Sequence, residues 1–132
     1  FATWLAKQPC KHKVLIAGNH EVTFDAEYFC RDGWRFHKRA EAADLEAVSR
    51  RCRQVLAERC PEVHVLENEE LQVGPLRIWG SPCQGAFFSS HTMSAFALPQ
   101  GCDGAPWSDI PSGVDVVVTH GPPLGACDLS SE

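Results

Sequence analysis

The sequence predicts an α/β domain, and three observations predict it. Two short aliphatic runs, Val14-Leu15-Ile16-Ala17 and Val116-Val117-Val118, each break off into a histidine that has a glycine within two residues. Neither run alternates with polar residues, as expected of strands covered on both faces. Between them lies Lys38 to Cys60, a stretch with a helical period. Strands alternating with amphipathic helices make a layered α/β domain.

The elements follow in order. Phe1, Trp4 and Leu5 recur at i, i+3, i+4, so Phe1 to Lys7 reads as the tail of a helix that Pro9 closes. Lys13 to Ala17 reads as a strand. Asp25 is placed to cap a short helix over Ala26 to Arg31, ended by Gly33. Within Lys38 to Cys60, Leu45, Val48, Cys52 and Val55, with Leu56 beside them, line one helical face. Arginines and glutamates fill the opposite face, and Pro61 stops the helix. Val63 to Leu66 is a strand. Glu70 to Gly80 reads as a hairpin around Gly74-Pro75, with Leu71, Val73, Leu76 and Ile78 alternating. Gly80 to His91 and Gly101 to Gly113 are loop-like, and Val114 to Gly125 is a strand running into a loop.

The 132 residues suffice for one domain, or part of one, and show no internal repeat. Apolar residues make up 44% and charged residues 22%, a globular balance. A net charge of −5 argues against a nucleic-acid partner, since phosphate backbones select basic faces. A small phosphorylated substrate stays compatible, because a bound metal reverses the local field. No apolar run approaches the ~20 residues of a membrane span, and the first residues carry no signal-peptide pattern. The seven cysteines form no C-x-x-C pair, which argues against zinc ribbons and thioredoxin-type sites. Their odd number, in a chain with ordinary core-forming strands, argues against a disulfide scaffold. They read as mostly buried or half-buried thiols in a reducing, cytoplasmic setting. Nothing in the sequence assigns an oligomeric state.

The two strand tips carry the chemistry. In α/β folds a site forms beyond the carboxyl ends of the strands. Asn19, His20 and His120 converge there if both strands run parallel in one sheet. Imidazole nitrogen and amide oxygen suit first-row divalent metals. A histidine beside such a metal serves as general acid. Glycine lets the backbone turn and a ligand approach closely.

"GNHE" with "TFD" behind it, then "RIWGSPCQ", then "VVVTHGPPLG" resemble the calcineurin-like metallophosphoesterases, over nearly the whole chain and in the same order. The "RIWGSP" stretch resembles their small metallophosphoesterase-domain branch, which includes the fetal-brain-239-like proteins. The resemblance implies a sandwich of two mixed β-sheets flanked by helices, and hydrolysis of a phosphomonoester or phosphodiester, a nucleotide-like substrate among the candidates. It implies two divalent metal ions, Mn, Fe or Zn, with a metal-activated water attacking phosphorus in line. By resemblance Asn19 and His120 are metal ligands, and His20 protonates the leaving oxygen or stabilises the charge near it. Glu21 stands where most members carry aspartate and supports His20, while Gly18 and Gly121 are turn residues that make room.

The family pattern also asks for D-x-H and G-D motifs upstream and G-H-x-H downstream. Seventeen residues precede Gly18, none an aspartate, and no G-H-x-H follows His120. The chain opens on Phe1 and has its one methionine at Met93. The expectation is a single partial domain over 1–132, truncated at both ends: active in the parent protein, but on its own neither holding metal stably nor turning over a phosphoester. The rival is a degenerate relative that keeps the fold as a non-catalytic binding module. A redox protein built on the cysteines is a weaker third reading. Bland readings apply elsewhere: His12, His37 and His64 are surface residues, Trp34, Trp79 and Trp107 packing residues, Cys83 a structural thiol. Arg50, Arg51 and Arg53 form the wet face of a helix. Gln84 and His91 are candidate pocket residues.

Overall fold

The computed structural model describes residues 1–32, 44–85, 94–98 and 106–122. Their elements form two small sheets with helices alongside. Helix α1, Ala2–Ala6, lies against the long helix introduced below. Its Phe1 and Trp4 rings face each other at 6.0 Å yet stay exposed.

Strand β1, Lys13–Leu15, pairs parallel with β2, Val63–Val65, setting Val14 against His64. The expectation of a strand buried on both faces is corrected. Val14 and Leu15 are half-buried, and the buried residue is Lys13. Its ammonium reaches the Cys10 carbonyl at 2.9 Å and Glu62 at 4.0 Å, so the charge keeps polar partners while the stem is buried. His12 stays exposed and stacks on half-buried His64 with ring centroids 6.4 Å apart.

After β1 the chain makes a 3₁₀ turn, Val22–Phe24, and enters helix α2, Ala26–Arg31. Asp25 caps α2 as its residue type requires: Oδ1 accepts the Tyr28 N–H at 2.9 Å. Gly33 and Trp34 lie outside the described residues.

Helix α3 spans Leu45–Arg59. Its start was expected at Lys38. Residues 38–43 lie outside the described residues, but Asp44 is non-helical and its side chain accepts the Ala47 N–H at 2.8 Å, which makes it the cap. The buried stripe is also rotated from the expected one. Ser49 and Leu56 are buried, while Val48 is 41% exposed. The cause is what α3 packs against, namely α2 and the 3₁₀ turn. That turn offers a carbonyl, and the Ser49 hydroxyl donates to Thr23 O at 2.7 Å. Arg53 is corrected likewise: Arg50 and Arg51 are exposed, but Arg53 is half-buried. It lies over the Phe24 ring at 5.0 Å, donates to the Phe24 carbonyl, and pairs with Glu67 at 2.7 Å. It therefore clamps the turn to the link that follows β2.

The second sheet has the order β3-β4-β5. Strands β3, Glu69–Val73, and β4, Leu76–Ser81, form the expected hairpin, with Val73 opposite Leu76 across Gly74-Pro75. Gly74 has φ +58, and proline locks its own φ near −65°, the pattern of a type II′ turn that follows strand twist. Strand β5, Val116–Thr119, runs parallel to β4, with Ser81 beside Thr119. Arg77 holds that register. Its guanidinium binds both Glu70 oxygens, at 2.8 and 2.9 Å, and the carbonyls of Ser112 and Gly113, at 3.0 and 3.2 Å. Its N–H donates to Asp115 at 2.7 Å.

The two histidine-bearing strands therefore lie in different sheets, not in one. The sandwich of two sheets is present, one a parallel pair and one mixed. The sheets touch at Gly80, where a Cβ would lie 2.6 Å from Leu66 Cβ and 3.1 Å from Ile16 Cγ2. Only glycine allows that approach. Trp79 beside it is buried and meets Trp107 edge-on at 6.2 Å, a packing role as expected. A second cluster, Val22, Tyr28, Phe29 and Ala95, joins α2 to the segment 94–98. The described cysteines are all free: Cys60 and Cys83 buried, Cys30 and Cys52 half-buried, Cys10 exposed. Cys83 is structural, with its N–H on Ser81 Oγ at 3.1 Å and its thiol 3.7 Å from Asn68 Oδ1. On β5, Val116 is 39% and Val117 45% exposed, and its outer edge has no partner strand among the described residues. No helix among the described residues is long and apolar enough to cross a membrane.

Two outcomes are expected. Gly80→Ala forces Leu66 and Ile16 apart and lowers stability by about 1–3 kcal/mol in chemical denaturation, an overpacking cost; an unchanged midpoint would refute the contact. The Glu70 carboxyl is held below its ordinary value by the hydrogen bond from Arg77. A depressed carboxyl stabilises the fold above its unfolded value, about 4.3, and loses that effect as pH falls through the folded value. Melting curves of Glu70→Gln and the natural chain should differ near neutrality and converge in acid.

Candidate functional site

The tip of β1 turns as soon as its aliphatic run ends. The Gly18 carbonyl accepts the Glu21 N–H at 3.1 Å, closing a turn over Asn19 and His20. The Glu21 carboxylate folds back and accepts the Gly18 N–H at 2.7 Å. One acidic side chain thus satisfies the backbone of its own turn. Glu21 grips Gly18; its carboxylate makes no hydrogen bond to His20.

His120 arrives from the end of β5, and the Thr119 hydroxyl turns the chain behind it by donating to Gly121 O at 2.8 Å. The His120 ring lies over Gly18, with Cε1 2.6 Å and Nδ1 2.8 Å from where a Gly18 Cβ would stand. Gly18 therefore leaves the space that the ring occupies. At Gly121 a Cβ would meet Gln84 Cβ at 3.9 Å, an ordinary contact among the described residues. Nε2 of His120 faces Asn19, 3.0 Å from Oδ1 and 3.3 Å from the main-chain N–H. Residues 101 apart in sequence meet at hydrogen-bond distance. His20 sits exposed at the tip of the turn, and no hydrogen bond or ion pair engages its side chain among the described residues.

The Asn19–His120 pair suits a metal in part. Two donors bound at about 2.1 Å stand about 3.0 Å apart at an octahedral angle and about 3.4 Å apart at a tetrahedral one; the observed Oδ1 to Nε2 separation of 3.0 Å, a hydrogen-bond distance, matches the octahedral case. Both donors are neutral. Among the described residues no group of three histidine, cysteine, aspartate or glutamate side chains gathers to hold a cation. The pair therefore fits as two members of a coordination shell and does not complete one.

Gln84 is the buried polar residue that sequence reasoning named only as a candidate. It lies beside Gly121, and its Nε2 donates to Ser94 Oγ at 3.3 Å. A glutamine in a Gly/Ser/Pro loop carries no signal of burial; its one cue was its place in "GSPCQ". His91 lies outside the described residues.

No family model matches the chain. It is 37% identical to Metallophosphoesterase domain-containing protein 1 of Homo sapiens, and equally to that of Mus musculus, over 97% of this chain and 38% of each relative. It is 32% identical to a probable rhamnogalacturonate lyase C of Emericella nidulans, over 96% of this chain and 10% of that protein. The chain thus spans little more than a third of the first relatives it matches.

Gly18→Ala should drive the His120 ring away from Asn19. Because that ring is free to swing into solvent, stability should change by less than about 1 kcal/mol. The expected readout is a shifted imidazole resonance of His120 with an almost unchanged melting temperature; an unmoved resonance would contradict the packing.

Proposed function

The chain belongs to the metallophosphoesterase family, and on that premise we propose that the protein hydrolyses a small phosphoric ester, a nucleotide-like monoester or diester. The observation that carries this reading is the meeting of Asn19 Oδ1 and His120 Nε2 at 3.0 Å from the ends of strands in two different sheets. The two groups are hydrogen-bonded to each other, and both are metal-ligand types.

Asn19 and His120 would hold a divalent cation, Mn, Fe or Zn, as two of its ligands, with a second such ion in the full site. When bound, the metal supplies positive charge that polarises the phosphoryl group and activates water. The chain's own residues do the rest. Gly18 leaves the His120 ring room to lie against the turn. Glu21 fixes the turn, and so the direction in which His20 projects. His20, exposed one residue from the metal-side amide, holds a proton at its imidazole and delivers it to the departing ester oxygen. Imidazole is the side chain suited to that exchange at neutral pH.

A second reading has one observation in its favour: the described residues gather no three-residue cluster of metal-binding side chains. A relative that never completes the cluster would keep the fold as a binding module.

One assay separates the two. The full-length protein is incubated with Mn²⁺ and a chromogenic phosphodiester. Hydrolysis should appear, and His20→Ala should lower kcat by about 10²–10⁴-fold with little change in metal requirement. Asn19→Ala and His120→Ala should instead raise the Mn²⁺ concentration needed for half-maximal rate more than tenfold. Absence of metal-dependent turnover would favour the binding module.

A further inference from the structure

Residues 94–98 lie as a strap between the β1 tip, which carries Asn19, and the loop after β4, which carries Gln84. Toward the β1 tip, the Ala95 N–H donates to the Asn19 carbonyl at 3.4 Å. Toward the loop after β4, the Gln84 N–H donates to Phe96 O at 3.1 Å and the Leu98 N–H to Gln84 O at 2.9 Å, a parallel bridge between Gln84 and Ala97. Ala95 is fully buried. Phe96 has φ +57, a backbone conformation that bulky residues avoid unless the surroundings impose it.

What imposes it is visible. The Phe96 carbonyl is held by Gln84, and its N–H donates to Asp25 Oδ2 at 2.8 Å. Asp25 Oδ1 is the oxygen that caps α2 through Tyr28, at 2.9 Å. One carboxylate therefore receives two main-chain N–H groups, one from its own helix and one from a segment 71 residues away. Carboxylate oxygens accept such bonds more strongly than neutral groups do.

We propose that Asp25 is a positioning residue, pinning the 94–98 strap to the first turn of α2 and thereby setting Asn19 opposite His120. The strap holds the Asn19 carbonyl, in the peptide that follows the Asn19 Cα, and so restrains the backbone of the residue whose N–H and Oδ1 face His120. The functional meaning of the device rests on the phosphoesterase reading; the coupling itself does not.

The test uses Asp25→Asn and Asp25→Ser in the full-length protein. Both residue types cap helices about as well as aspartate. Neither supplies a second acceptor oxygen to the Phe96 N–H. Amide exchange and side-chain resonances are followed by NMR. The expected result has three parts: Tyr28 stays protected, the Ala95 and Leu98 amides exchange at least tenfold faster, and the Asn19 side-chain amide and His120 imidazole resonances shift. Unchanged strap protection would overturn the pinning. Faster strap exchange with unmoved Asn19 and His120 resonances would overturn the positioning. Loss of Tyr28 protection in both variants would make Asp25 a general structural residue and overturn the proposal as well. No readout depends on turnover, so a protein that hydrolyses nothing can still pass or fail it.

Discussion

The absence of a side chain at Gly80 is the constraint on which the architecture turns. Leu66 leaves the parallel pair and Gly80 sits in the mixed sheet, and the two come closer than any Cβ on Gly80 would permit. Ile16, the first residue past β1, presses on the same spot. The end of β1 is thus held against a sheet to which it is not hydrogen-bonded. Strand β5 runs parallel to β4 in that sheet, so its carboxyl end is delivered to the same side. The meeting of Asn19 and His120 follows from face-to-face contact between sheets, where strand pairing within one sheet would have been the simpler route.

A second regularity is the use of carboxylates on backbone N–H groups. Glu21 closes the site turn, Asp25 and Asp44 start helices, and Asp115 takes the N–H of Arg77. A chain with net charge −5 need not carry that charge as a diffuse field. These acids are spent locally, at points where short segments change direction and leave donors unpaired. The arginines divide in the same way. Arg77 and Arg53 each join three separate stretches of chain, while among the described residues Arg50 and Arg51 pair with acids of their own helix or its cap.

Local chemistry was legible in the sequence, and long-range geometry was legible only where a strand tip announced it. The α2 cap at Asp25, the turn at Gly74-Pro75 and the element order could be read because the residues involved are neighbours. The pairing of Asn19 with His120 could be anticipated from two strand ends with the same grammar. That these strands belong to different sheets could not, because it depends on Gly80 meeting Leu66 and Ile16, a contact with no periodic signature. The rotation of α3 was hidden for a related reason: Ser49 is polar by type and buried because a carbonyl awaits it. Arg53 looked like its neighbours Arg50 and Arg51 until Phe24 and Glu67 came within reach. The second bond of Asp25 spans 71 residues and leaves no trace in the pattern around it.

The outer margin of β5 carries a different consequence. Val116 and Val117 point to opposite faces, both are partly open, and the margin presents a row of donors and acceptors with no strand beside it among the described residues. Soluble proteins usually blunt such a margin with lysine, proline or a bulge. Here it is four β-strand residues of the type that favour further pairing, Val-Val-Val-Thr. Such a strand is sticky along its length, and the polypeptide that bears it faces a choice between recruiting another strand of its own and adhering to a second molecule. Among the described residues, this is the edge at which a further strand would find its backbone partners.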